Sequence, residues 1–503
     1  MSRPRAVRMT AAMGEARPIG EADDRRLLWG LIAVGTLLRL AAIRPDAAFH
    51  SDELYQYLEQ AYRLTTGLGI VPWEYREGVR SPLLPLLLSV PMRLGIALTG
   101  SSIGGVMAVR IAVALAGVAM IPAAWSIGAR WSRRHAIVAA AVTAIWFENV
   151  IFAAHVLAEP LATSAFFVGA ALLMAPETGR QRLAAGGAAL AVAAIVRMQY
   201  APALALFAVL AVPWRRWGWV LLGGIVPLIA AGAVDIASGQ SPFEWMARYF
   251  QANIVEGRAA SFGVDPASAY LTWFLVEWSF ALPLIAGLAW LAGRRGWPLL
   301  AAALATIALH LAIGHKEYRF LALAVSTLVL LAAIGSVSAM QRWPSLLLGD
   351  PKRRGATLGL VLRWAAVSAL LWAIGPAMLQ TEQRHRPTVG LVRVAASDPA
   401  ICGVAMEATY YWRFSYALAG RPVPAYLLMP GEARDPAVIE RLSPGFDAAV
   451  FPEGTALPPG YRREACVAEE GSRNCLFVRP GGCGQASGLE QHGLQRMIES
   501  RGL

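Results

Sequence analysis

The chain is poor in charge and almost without lysine. Of its 503 residues, 16% are charged and 56% are hydrophobic, whereas soluble domains carry about 25% charged residues. That balance lies well on the membrane side. Lys316 and Lys352 are the only lysines among 45 basic residues. The arginine bias reads as GC-rich coding and makes each lysine conspicuous. No P-loop, glycine-rich dinucleotide fingerprint or H-E-x-x-H pattern occurs, so the common nucleotide and zinc-protease classes lack their signatures. Cysteine is scarce and confined to the tail: Cys402, Cys466, Cys475 and Cys483 all follow residue 400. No C-x-x-C pair suggests zinc. An extracytoplasmic, oxidising location with two disulfides is expected, the pairing being open among three possibilities.

What fills the chain is long Ala/Leu-rich runs. Several approach the ~20 residues that a helix needs to cross a bilayer, and the two-residue alternation of a barrel is missing. The net charge of +12 sits in short loops between these runs: "RWSRRH" at 130–135, "WRRW" at 214–217, "GRRG" at 293–296 and "PKRRG" at 351–355. Such loops mark a cytoplasmic face rather than a nucleic-acid surface. About eleven transmembrane helices are expected, near 27–43, 106–128, 136–153, 158–175, 184–197, 201–213, 217–236, 271–292, 297–313, 319–338 and 363–379. The first, preceded by "DDRR", reads as a retained signal anchor. The proline-bearing run from Pro82 to Leu98 is expected to enter the membrane without crossing cleanly.

This divides the chain into a cytoplasmic segment 1–26, a membrane domain 27–385 with outer loops 44–81 and 237–270, and an extracytoplasmic domain 386–503. The last, neutral and rich in Pro and Gly, has short strand-like runs and reads as a small α/β domain. In the first loop, "HSDELYQYLEQAYRLTTG" (His50–Gly67) places Leu54, Tyr57, Leu58, Ala61 and Leu64 near helical spacing. It reads as an amphipathic helix along the interface, capped by Ser51. Asp52 and Glu53 occupy its first turn, where the helix dipole favours negative charge.

Two stretches resemble glycosyltransferase family 22, the lipid-phosphate-mannose-dependent α-mannosyltransferases. "HSDELYQYLEQAYRLTTGLGIVPWEYREGVRS" (His50–Ser81) is similar to their first lumenal loop, and "HKEYRF" (His315–Phe320) matches their H-K-E-x-R-F turn. Ser51 replaces the usual Pro and Tyr62 the usual His, while Pro72–Tyr75 matches T-W-E-W only in part. The resemblance covers about residues 27–340. It implies a GT-C fold, a polytopic helical enzyme with its active site on the outer face. It also implies a polyprenyl-phosphate-mannose donor, a glycan or glycolipid acceptor, inversion in one displacement, and no metal or separate cofactor.

On that resemblance Asp52 is the candidate base, with Glu53 second because successive helical residues point about 100° apart. Arg80, His315, Lys316 and Arg319 are candidates for the donor phosphate, and Glu317 could hold one of these cations, with His50 also supporting. Trp73 and Glu74 could bind acceptor or sugar. The plainer readings are an interfacial anchor for Trp73, a snorkelling Arg80 and a charged collar for "HKEYRF". Glu148, His155, Glu159, Arg197, Gln199 and Tyr200 lie in or beside spans and are further donor-site candidates. A GT-C enzyme using another polyprenyl-phosphate sugar remains open, as does a lipid or glycolipid flippase, although paired inverted repeats are not evident. Membrane lipids are the only other partner expected, and nucleic acid is not. A bacterial inner membrane with the site facing the periplasm fits the arginine bias.

Overall fold

The computed structural model describes residues 21–45, 50–175, 179–343, 355–374, 386–407, 414–469, 472–482 and 490–492. The segment before residue 21, the loop at 351–354, the part of the last expected span beyond residue 374 and Cys483 lie outside that set.

All eleven apolar stretches are mainly helical where described, but those expected as single spans at 136–153 and 271–292 are each broken into two helices, at Trp146 and at Ser279–Phe280. Ser102–Ala129, Trp214–Ala237, Tyr318–Arg342 and Ala356–Ile374 are individually long and apolar enough to cross a bilayer. Two further pairs pass together but are bent: Arg133–Ile145 with Phe147–Ala153 by 52°, and Ala269–Trp278 with Ala281–Leu291 by 98°. Leu83–Thr99, Ala158–Leu173 and Met198–Ala211 are shorter apolar helices. The protein is a multi-pass helical membrane protein. The run expected to cross poorly is one 17-residue helix, Leu83–Thr99, which continues through Pro91. At about 1.5 Å per residue it spans roughly 25 Å, a little short of the ~30 Å hydrocarbon core. Its Leu86, Leu87, Val90 and Leu94 are exposed, as are Leu221, Ile225, Val226 and Ile229 on Trp217–Ala237. Those faces suit lipid.

Packing is organised around Tyr318–Arg342, whose most apolar window is 89% buried. Small residues bring helix backbones together in the manner of membrane bundles. A Cβ on Gly187 would lie 1.9 Å from the Val220 carbonyl oxygen, and one on Gly223 would lie 1.8 Å from that of Ala184. The bend at Trp146 frees the last carbonyls of Arg133–Ile145, which a continuous helix would have satisfied. Arg39, fully buried, takes them: its guanidinium donates to Thr143 O (3.1 Å) and Ala144 O (3.1 Å).

The tail carries a six-stranded sheet with β1 (Val404–Glu407), β2 (Ala425–Leu428), β3 (Ala448–Pro452), β4 (Arg462–Glu469), β5 (Ser472–Val478) and β6 (Glu490–His492) in the order β4-β5-β3-β1-β2-β6. The β6-β2-β1-β3 half is parallel, and β5 and β4 add antiparallel. A disulfide joins the paired Cys466 and Cys475 across β4 and β5, and Cys402 is also disulfide-bonded.

The first-loop helix departs from expectation. It does not lie on the interface with one face wet. Residues 53–62 are all buried, enclosed between the membrane helices and the tail domain, and Leu64 is the exposed one. Its first turns, Glu53–Leu58, are wound as π-helix and continue into Glu59–Thr66, a form frequent at functional sites. Ser51 does not provide the expected cap. Asp52 occupies the cap position without a capping hydrogen bond, and the Ser51 hydroxyl meets the His50 ring at 3.3 Å.

Glu59 fastens this helix to the tail. Its carboxylate accepts from Ser415 Oγ (2.5 Å), Ala417 N (3.2 Å), Tyr416 N (3.3 Å) and Ile70 N (3.0 Å). Tyr55 adds a bond from its hydroxyl to Phe414 O at 2.6 Å. Replacing Glu59 with Ala strands these donors in an apolar seam, at about 1–3 kcal/mol for each one left unpaired. Glu59→Ala should therefore lower the melting temperature of the detergent-purified protein and expose the tail domain to limited proteolysis. An unchanged melting temperature and digestion pattern would show that the seam does not depend on Glu59.

Candidate active site

The two loops singled out by sequence meet at a cavity of about 460 Å³. At its centre Asp52 faces Arg319. Asp52 Oδ2 accepts from Arg319 Nη2 at 2.6 Å, joining the first loop to the "HKEYRF" turn across 267 residues of sequence. Arg319 also holds Glu317 through Nε (2.5 Å) and approaches Glu159 through Nη1 (3.3 Å). Glu317 in turn bonds His315 Nε2 at 3.0 Å and lies 3.4 Å from His50 Nε2, while His50 Nδ1 is 3.5 Å from Asp52. The local fold explains this convergence. Glu317 is extended and the chain then tightens into a 3-10 turn, Tyr318–Leu321, that opens the central helix. Arg319 thus projects from the first turn of that helix toward the start of the π-helical segment.

The environment sets the charge of each acid. Burial pushes the Asp52 carboxyl up, but the Arg319 guanidinium and then His50 outweigh it and hold the group well below the usual carboxylate range. Glu317 is likewise held low: burial raises it, and Arg319 and His50 overcome that. The hydrogen bond to Glu317 raises His315, against burial. Glu74 differs. Burial dominates, the Arg80 charge offsets it only in part, and the carboxyl is pushed up to about 7. Its Oε1 accepts from Gln56 Nε2 at 2.6 Å, whereas Oε2 is buried without a partner among the described residues.

Of the sequence candidates, His50, Asp52, Trp73, Glu74, Arg80, His315, Lys316, Glu317 and Arg319 line the cavity together. Glu53 does not. Its side chain turns away and is fully buried against Arg110 Nη2 (3.0 Å), His155 Nδ1 (2.9 Å) and Val156 N (3.1 Å). It locks the loop to the membrane helices and has no access to a ligand in the cavity. Trp73 is not an interfacial anchor: it is 4% exposed, and the Arg258 guanidinium stacks 4.6 Å from its ring centroid. Lys316 donates to the Ile313 and Gly314 carbonyls, which leaves one of its three protons for a ligand. Arg80 lies over the Tyr249 ring (5.5 Å), and its Nε is buried without a partner among the described residues.

Among the span-associated candidates, Arg197 and Gln199 reach the cavity, and Arg197 pairs with Glu159 at 3.1 Å. Glu148 and His155 serve elsewhere. Glu148 accepts from Trp146, Trp278 and Tyr318, and His155 holds Glu53. Tyr200 is buried and donates to Phe320 O at 3.1 Å.

Sequence reasoning passed over Gln56, Tyr249, Asn253 and His310, which also line the cavity. Gln56 was within reach, since residues i and i+4 share a helical face and Asp52 defines that face. His310, an ionisable group in an apolar run, carried the usual intramembrane signal. Tyr249 and Asn253 come from the loop at 237–270. That loop folds over the first through Arg258–Glu77 (2.8 Å) and a bond from Arg248 to Glu77 O (3.0 Å), a pairing with no local sequence trace.

Residues 29–380 match the Alg9-like mannosyltransferase family, about 70% of the chain. The chain belongs to that family. Curated relatives include GPI mannosyltransferase 3 of Trypanosoma brucei brucei, 41% identical over 69 residues (13% of this chain and 12% of that one), and of Debaryomyces hansenii, 45% identical over 42 residues (8% of each). The matched stretches thus span about an eighth or less of those relatives. Among solved structures, ArnT from Cupriavidus metallidurans superimposes with a TM-score of 0.57 at 12% identity, covering 90% of this chain and 98% of that one. ArnT bound to undecaprenyl phosphate gives 0.56 at 13% identity, covering 89% and 97%. The mannosyltransferase-family chain therefore has the GT-C fold expected from its two motifs.

Glu74 makes a measurable pH dependence. With the folded value near 7 and the unfolded value near 4.5, the folded state holds the proton more tightly between those limits. Stability then falls as pH rises through that window, and the full penalty stands above it. Glu74→Gln removes an ionisation that costs about 3 kcal/mol at pH 8 and almost nothing at pH 4. The variant should gain melting temperature relative to the parent at pH 8 but not at pH 4. An equal difference at both pH values would place Glu74 in an ordinary solvated setting.

Proposed function

We propose that this protein transfers mannose from a polyprenyl-phosphate-mannose donor to a hydroxyl of a glycan or glycolipid, with inversion and with Asp52 as general base. The observation that carries this reading is the Asp52–Arg319 pair at 2.6 Å inside the cavity, because it brings a proton acceptor and a guanidinium to one point. In the reaction the acceptor oxygen attacks the anomeric carbon while its proton passes to Asp52. The bond from that carbon to the phosphate oxygen breaks, and the phosphate leaves with the electron pair. Its growing charge needs fixed cations. Arg319, Arg80, Lys316 and Arg197 supply them, and the forked guanidinium suits two phosphate oxygens.

The low pKa of Asp52 has a consequence for this scheme. A carboxylate so strongly stabilised by Arg319 is a weak base in the empty site. A donor phosphate drawn to Arg319 shares the guanidinium and adds negative charge beside Asp52, both of which raise its basicity. The base would thus be strengthened by the presence of the donor. Apolar residues Trp273, Val276, Ile313 and Phe320 at the cavity wall give the polyprenyl chain a surface to follow. Trp73 and Glu74 form the end suited to the acceptor sugar. A periplasm-facing site in a bacterial inner membrane is the setting we favour.

The direct test is turnover of synthetic polyprenyl-phosphate-mannose by the purified protein with a panel of glycolipid acceptors. Asp52→Asn should reduce acceptor-dependent release of polyprenyl phosphate by about a hundredfold to ten-thousandfold while the protein still inserts. Near-normal turnover in that variant removes the assignment. Movement of intact lipid without a new glycosidic bond would instead favour a flippase.

A further inference from the structure

His310 lies in the cavity wall and belongs to none of the roles above. It lies in the last turn of the helix Trp297–Leu311 and is 2% exposed. Its ring is held between Tyr200 and Phe320, with centroids 6.3 and 5.8 Å away. Nδ1 meets the Thr306 carbonyl oxygen at 2.8 Å. A carbonyl oxygen only accepts, so Nδ1 carries a proton. In the neutral ring Nε2 is then left with a lone pair. Nε2 is buried and has no hydrogen-bond partner among the described residues. A buried acceptor without a donor is costly, and here the ring borders open space.

Its neighbours identify the side of the cavity. Phe320 lies beside Arg319 in the cationic turn, and Arg197 stacks over the Phe320 ring at 4.8 Å. This is the phosphate end of the cavity, and the acceptor-side pair Trp73 and Glu74 belongs to the other loop. A sugar attached to that phosphate brings several hydroxyl donors into reach of the wall. We propose that His310 Nε2 accepts a hydrogen bond from one hydroxyl of the donor sugar and so helps select which polyprenyl-phosphate sugar is bound. This rests on the reading of the cavity as a lipid-phosphate-sugar site. The tautomer is fixed by Thr306, so the position prefers a hydroxyl and rejects a deoxy carbon at the same place.

Binding of polyprenyl-phosphate-mannose and of bare polyprenyl phosphate to the purified protein separates the two ideas without any acceptor. The parent should bind the mannosyl lipid more tightly. His310→Phe should weaken the mannosyl lipid by about tenfold and leave the bare phosphate unchanged. His310→Gln, whose amide oxygen can stand near Nε2, should recover most of the loss. If His310→Phe keeps the full preference for the mannosyl lipid, the inference is overturned. If that variant binds neither lipid, single-deoxy mannosyl lipids tested on the parent decide. One deoxy position must cost about tenfold, and a flat series overturns the inference. A parent that binds the bare lipid as well as the mannosyl lipid removes the donor reading itself, and the selection proposed for His310 falls with it.

Discussion

The ion pair between Asp52 and Arg319 is the constraint on which the cavity depends. It is the shortest route between two segments that share no local structure, one at the start of a π-helical loop and one at the start of the central helix. Removing two charges from water costs several kcal/mol per ion unless the remaining lone pairs and protons are also matched. Here Arg319 hydrogen-bonds Asp52 and Glu317 and lies at ion-pair distance from Glu159, so its charge is countered from three sides. An isolated pair at this depth would be a liability. As a network it fixes one arrangement of both loops.

Three acids on one short helix divide the work of holding that arrangement. Asp52 faces the cavity, Glu53 faces the membrane helices and Glu59 faces the tail domain. The division follows from winding. Adjacent residues diverge by about a quarter turn, so a pair of neighbouring carboxylates cannot both serve one ligand. Glu53, bound to Arg110, His155 and the backbone of Val156, anchors the helix whose neighbouring residue reaches the cavity. Glu59 gives the tail domain a structural connection to the same helix. The position of Asp52 is therefore determined from two sides by buried charge-assisted hydrogen bonds, which are stronger than neutral ones.

Much of this was legible in the chain. Apolar runs separated by arginine-rich turns gave the helices nearly to their ends, because membrane thickness and backbone satisfaction leave few alternatives. The acid-rich loop and "HKEYRF" gave the central pair. What was not legible were relations at long range. The helix at 53–62 has the apolar spacing of a surface helix, yet every residue in it is buried, because the tail domain covers the face that would otherwise be wet. Glu53 and Asp52 look equivalent until Arg110 and Arg319 are placed. Trp73 reads as an interfacial tryptophan until Arg258, 185 positions later in the chain, is seen over its ring.

Two carboxylates of the cavity, Asp52 and Glu74, are pushed in opposite directions, and that difference bears on the chemistry proposed. Arg319 keeps Asp52 anionic, whereas burial leaves Glu74 near 7 with Gln56 as its one side-chain hydrogen-bond partner among the described residues. Environments that separate the titration of two acids assign them different tasks. An ionised Asp52 can take a proton and cannot give one. A Glu74 that is often protonated at neutral pH can donate to an acceptor oxygen while Gln56 fixes its orientation. Placing the negative acid against the cationic turn and the near-neutral acid beside Trp73 lets a charged phosphate and an uncharged sugar hydroxyl approach the same point from different sides. An ionised Glu74 would add negative charge to that of Asp52 and Glu317 and lower the field that Arg80 supplies, so the apolar burial of Glu74 serves the donor as well as the acceptor.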